Sequence, residues 1–181
     1  MNNSNLYGLE TSSRIAPPTN PWFILLTLFL ALIANFIPRS PIPYIPDWVA
    51  LVLCFWCVYQ PRFISLGTAF ILGLLMDVAD GSILGQHALP YVILAWCANY
   101  LSRRVLSFQN IKQAIHILPL LVGCQVLQIS MQILAGGIFP GWEYFISPVL
   151  ATIAWLPLSY FLMLAQIRRM QNYRHDSFGG L

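Results

Sequence analysis

Six apolar runs, each bounded by residues that end helices, divide the chain: Trp22–Ile37, Trp48–Tyr59, Phe63–Val78, His87–Leu101, Ala114–Leu134 and Ser147–Ile167. A helix rises about 1.5 Å per residue, so crossing the hydrocarbon layer takes roughly 20 residues, with a floor near 17. The fifth and sixth runs pass this test. The first, third and fourth reach the floor only with their flanking turns, and Trp48–Tyr59 falls short even with Asp47 and Gln60 added. That run, WVALVLCFWCVY, carries no charge, and Asp47 after Pro46 is placed to cap a helix by accepting from its first free N–H groups. A tilted or re-entrant helix covered by protein also suits it. The pattern predicts an all-α polytopic membrane protein of about six transmembrane helices over residues 22–167. A polar, flexible segment, 1–21, precedes them and a basic, flexible tail, 168–181, follows. Pro148 fits the first turn of the last helix, while Pro157 lies inside it and predicts a kink.

With 58% hydrophobic and 8% charged residues, the chain has too few polar side chains to coat a soluble domain, where roughly a quarter are charged. Its formal net charge is +3, and its nine basic residues lie in short clusters between apolar runs. Nucleic acid requires a long basic tract or an aromatic-interleaved basic stripe, so it is excluded as a main partner, and the lipid bilayer is the expected surrounding. Cys54, Cys57, Cys97 and Cys124 all fall in apolar runs, where a thiol acts as a small hydrophobe. Cys54-x-x-Cys57 lacks the basic neighbour or helix N-terminus that makes such a pair reactive. Arg14 is the single basic residue of 1–21, and the run that follows has no small-residue cleavage pattern, so it reads as an uncleaved span.

Lys and Arg stay on the cytoplasmic side during insertion. Six spans with the N-terminus inside make Arg14, Arg62, Arg103, Arg104, Lys112, Arg168, Arg169 and Arg174 cytoplasmic and leave Arg39 outside. Loop 102–113 and the tail share a side whatever happens upstream, because two long helices separate them. Asp47, Asp80 and Glu143 fall on the opposite side, with Asp77 just inside it. Trp22, Trp48 and Trp142 lie near span ends, where amphipathic rings suit the headgroup boundary.

Ser65, Ala69, Gly73 and Asp77 recur every four residues and form one helical stripe, small at three positions and ionisable at the fourth. Small residues let a second helix approach closely, so the stripe is expected to be a helix-packing or partner surface. Asp77, near the interface, is expected to cap the Gly81–Gly85 turn or pair with Arg39 rather than to carry protons. Asp80, Gly81, Gly85, Gln86 and His87 make a turn on the outer side that is rich in glycine, the residue that enters unusual backbone angles freely. It lacks the Lys-Ser/Thr of a phosphate-cradling loop. His87 has no Cys or His partner at ligand spacing, so no metal is expected. Gln125, Gln128 and Gln132 form a polar stripe on the fifth helix, and each amide needs a partner away from lipid: another helix, a water-filled cavity or a partner protein. No nucleophile and base are legible together, so neither catalysis nor a cofactor is expected.

Four stretches carry a family resemblance: P-D-W-V-A-L-V-L at Pro46–Leu53, the Gln60-Pro61-Arg62 turn, G-x-x-x-x-x-G-L-L-M-D-V at Gly67–Val78 and D-G-S-I-L-G-Q-H-A-L at Asp80–Leu89. They resemble the MreD family of rod shape-determining proteins of Gram-negative bacteria, over about Trp22–Arg169. The polar N-terminal extension departs from the shorter starts of that family. The resemblance implies a non-enzymatic, multi-pass component of the bacterial inner membrane, with both termini cytoplasmic, that works in cell elongation and peptidoglycan synthesis. It implies binding to MreC, a single-span protein with a periplasmic coiled coil. It also implies cooperation, direct or indirect, with MreB, the glycosyltransferase RodA and the elongation transpeptidase. The implied fold is similar to the substrate-binding subunits of energy-coupling-factor transporters. A competing class is a small-molecule-binding membrane subunit of a transporter, its cavity lined by the glutamine stripe with His87 and Asp77 at the mouth.

Overall fold

A computed structural model describes residues 20–36, 45–108 and 110–178, with side chains over 20–36, 45–108 and 112–165. Each apolar run forms a helix: α1 (Pro21–Phe36), α2 (Trp48–Tyr59), α3 (Leu66–Ala79), α4 (Ala88–Leu106), α5 (Asn110–Leu134) and α6 (Ile146–Phe178). A 3-10 turn, Trp142–Phe145, leads into α6. No strand occurs among the described residues.

Several boundaries differ from the apolar runs. Helix α3 starts at Leu66 rather than Phe63, because Ser65 is extended and its Oγ accepts from Thr68 N at 3.2 Å, an N-cap. Helices α4 and α5 reach past their apolar cores to Leu106 and back to Asn110, taking in Arg103, Arg104 and Lys112. Arg and Lys are good helix formers, so basic residues expected in a loop extend the helices instead. Helix α6 runs through Phe178, where a flexible tail was expected from residue 168. Pro119 and Pro157 both lie inside helices. Residues 1–19 and Arg39 lie outside the described residues.

The centre of the molecule is α2. Every residue from Val49 to Val58 is buried, and Phe55 and Trp56 have no exposed surface. Helix α1 packs on one side of α2, α4 on another, and α5 and α6 close the remainder. At 12 residues, α2 is roughly 18 Å long, too short to cross the hydrocarbon layer alone, and it survives by being sheathed in protein. Its ends are held by side-chain hydrogen bonds. Asp47 caps the first turn, accepting from Ala50 N at 3.0 Å. At the other end Tyr59 Oη donates to Gln113 Oε1 at 3.1 Å, and Gln113 Nε2 donates to the Phe108 carbonyl at 3.0 Å.

One polar contact crosses the apolar centre: Trp56 Nε1 donates to Thr27 Oγ1 at 2.8 Å, and that hydroxyl donates to the Ile24 carbonyl at 2.9 Å. Thr27→Val keeps the shape but orphans a buried indole N–H, at a cost of about 1–3 kcal/mol. Thermal unfolding in detergent should show this loss, and Thr27→Ser should recover most of it.

Chain direction alternates along the helices. Asn35, Asp47, Asp77, His87, Gln128 and Ser147 gather at one end, whereas Tyr59, Gln60, Ser65, Phe108 and Gln113 lie at the other. Lys112–Leu134 and Trp142–Ala165 are long and apolar enough to cross a bilayer. The helices α1, α2 and α3 are apolar but shorter. The outside remains greasy, with Phe29, Trp96 and Phe161 each about 60–70% exposed on α1, α4 and α6. Lipid is the solvent that suits such a surface.

Candidate functional site

The polar end of the bundle is organised by two aspartates. Asp77, in the last turn of α3, has a side chain with no exposed surface. Its Oδ2 accepts from Gly85 N at 2.7 Å and its Oδ1 from His87 N at 2.6 Å. The His87 ring meets the same oxygen through Nδ1 at 3.0 Å, and Ser82 Oγ donates to it at 3.3 Å. A buried carboxylate requires such partners. By binding the N–H groups that precede α4, Asp77 caps that helix from α3, where a negative charge also suits the helix dipole. The connecting turn needs Gly81 at φ 61° and Gly85 at φ 103°, backbone angles that side chains resist. His87 Nε2 faces Asp80 Oδ2 at 3.7 Å, so the ring lies between two carboxylates.

One turn before Asp77 stands Gly73. A Cβ built there would lie 2.2 Å from Ala88 Cα, 2.6 Å from Ala88 N and 2.9 Å from His87 C. Such an approach is open to glycine alone, and it brings the start of α4 within reach of Asp77.

Asp47 ties four helices together. Its Oδ1 accepts from Asn35 Nδ2 and Ala50 N, each at 3.0 Å. Its Oδ2 accepts from Tyr91 Oη at 2.7 Å and, over a long 3.4 Å, from Gln128 Nε2. Asn35 Oδ1 in turn accepts from Trp48 N at 3.1 Å. Asn35 and Tyr91 were not singled out from sequence, although an amide in the last turn of the apolar run PWFILLTLFLALIANF was a signal that a partner must exist.

Between these two centres lies a cavity of about 650 Å³ whose wall includes Asp47, Asp80, His87, Gln125, Gln128 and Gln132. It thus joins the glutamine stripe to the Asp80–His87 turn, and Gln86 also lines it. Gln125 and Gln128 are buried. The other stripe divides differently. Ala69, Gly73 and Asp77 are buried against the molecule's own structure, so they make an internal seam. Ser65 is exposed outside the helix as its cap, and the four-residue periodicity fails there because the helix has not begun. Gly81 is exposed and Gly85 half-buried in the turn. No group of three or more His, Cys, Asp or Glu among the described residues is arranged to hold a metal ion.

A second hollow is of opposite character. Helices α1 and α3 diverge on the outside, leaving an apolar groove of about 860 Å³ lined by Leu25, Phe29, Leu32, Ile71, Leu72 and Leu75 among others. It extends along α1 from Pro21 to Leu32, about three helical turns. It runs from Pro21 and Phe63, at the end opposite the aspartates, to Leu32 and Leu75, within a turn of Asn35 and Asp77.

A family model described as rod shape-determining protein MreD matches residues 18–165. The chain is similar to the rod shape-determining protein MreD of Haemophilus influenzae, with 30% identity over 160 residues, covering 82% of this chain and 92% of that protein. No solved structure matches.

Proposed function

The chain belongs to the MreD family of rod shape-determining proteins, and on that premise we propose that it is a non-enzymatic scaffold of the cell-elongation complex, seating the membrane helix of MreC in the groove between α1 and α3. A rod-shape-determining role in a bacterial membrane follows from membership of the family. Geometry supports the choice of surface. The small-residue stripe is filled by the start of α4 and the buried glutamines face inward, so neither offers a partner an open face. The α1–α3 groove is open and apolar, and it is three turns long. Helices in lipid associate by packing, and a concave apolar channel supplies more contact than a convex helix face.

In this reading the termini and the Arg62, Arg103 and Lys112 end are cytoplasmic, and the aspartate end is periplasmic, in the inner membrane. The groove then grips MreC along most of the length of α1 and α3 and leaves the periplasmic domain of MreC free to meet the synthase. MreB, RodA and the transpeptidase join directly or through MreC. The fold likeness to energy-coupling-factor subunits is implied by the family resemblance alone, and fold likeness does not transfer a ligand.

Filling the groove tests the proposal. Leu25→Trp combined with Ile71→Trp should lower the MreC recovered with the protein from native membranes by roughly tenfold, the equivalent of about 1.4 kcal/mol. Ile153→Trp, on an exposed face of α6, should leave recovery unchanged. Equal recovery from the filled and unfilled proteins at equal abundance would overturn it.

A further inference from the structure

The polar cavity is built differently from anything a packing scaffold needs. Gln125 is only 8% exposed, yet its amide lines the cavity without a hydrogen bond to any described residue. Gln132, a turn and three residues on, lines the same space and likewise has no described side-chain partner. Gln132 is half-buried, and amide groups turned into a cavity at membrane depth need water or a bound polar group to meet them. Asp47 adds a charge: its four donors, Asn35, Ala50, Tyr91 and Gln128, are all neutral. The contact from Gln128 is long, so Oδ2 keeps room for a stronger donor. No Lys or Arg is among the described lining residues, which otherwise offer Ser82, Tyr144 and Ser147 hydroxyls. The space therefore presents the Asp47 and Asp80 carboxylates, amide groups and hydroxyls to its occupant, with the His87 ring held between Asp77 and Asp80. That set is complementary to a cation with N–H donors.

We propose that this cavity binds a primary ammonium group, carried by a lipid headgroup or a small free solute, which donates to Asp47 Oδ2 and to the amide oxygens of Gln125 and Gln132. A headgroup source suits the position, since Trp48 and Trp142 stand at the same end of the bundle. The inference is independent of the groove and of MreC.

The test uses the full chain in nanodiscs, with thermal unfolding and native mass spectrometry as readouts. Phosphatidylglycerol discs supply no ammonium, phosphatidylethanolamine discs supply one with N–H donors, and phosphatidylcholine discs supply the charge without them. Free ethanolamine added to phosphatidylglycerol discs is the solute arm. Stabilisation by phosphatidylethanolamine but not phosphatidylcholine, with bound phosphatidylethanolamine retained, supports a headgroup. Stabilisation by free ethanolamine alone supports a solute. Gln125→Leu with Gln132→Leu should weaken either by roughly tenfold, as expected for losing hydrogen bonds to a charged group. Gln132→Leu alone, at a half-buried position, serves if the double variant does not fold. Equal unfolding in all three lipids with no response to ethanolamine, or a response the variants do not weaken, would overturn the proposal.

Discussion

Asp77→Ala should cost about 3–5 kcal/mol and leave little folded protein in the membrane. The substitution leaves the buried His87 N–H and the half-buried Gly85 N–H without their acceptor, and an orphaned buried donor costs about 1–3 kcal/mol. It also frees the His87 ring, whose Nδ1 faces the same carboxylate. Total stabilities lie near 5–15 kcal/mol, so a loss of this size is a large fraction. Asp77→Asn keeps one acceptor oxygen but turns an NH₂ group toward a donor, and about half the loss is expected. Unfolding in detergent, followed by circular dichroism, measures both. Equal stability of wild type and Asp77→Ala would show that the turn is held by other means.

Gly73→Ala should be nearly as damaging, although it adds one methyl group. Ordinary overpacking costs about 1–3 kcal/mol because neighbouring side chains shift. Here the obstacle is the backbone of His87 and Ala88, so α4 itself must retreat. That retreat carries His87 away from Asp77, and the two sites should therefore be coupled. The double variant Gly73→Ala with Asp77→Ala is expected to cost less than the sum of the singles, the mark of a shared interaction. Strict additivity would mean that the close approach does not position the cap.

The elements that were legible in the sequence are those bounded by local chemistry. Pro46-Asp47 and Gln60-Pro61 bracket α2, and its ends fall where that bracketing places them. Its role was not legible, because a charge-free 12-residue run reads the same whether tilted in lipid or sheathed in protein. The end of α4 was hidden by Arg103 and Arg104, which read as a loop by charge and behave as helix formers by propensity. Periodicity identified Ala69, Gly73 and Asp77 as one face, yet it could not name Ala88 as the neighbour. Asp47, by contrast, reads in the sequence as a helix cap and an acid of the outer side. Its links to Asn35, Tyr91 and Gln128 span 12, 44 and 81 residues, distances at which a sequence pattern carries no pairing information. The α1–α3 groove is a tertiary feature for the same reason, since each helix taken singly is merely apolar.

The proposed seat for a partner's membrane helix is the groove between α1 and α3. Site-specific photocrosslinking in living cells tests it most directly, with a benzophenone side chain placed at Ile71 in the groove and, separately, at Ile153 on α6. An adduct with MreC is expected from position 71 and none from 153. An MreC adduct from 153 with none from 71 would contradict it.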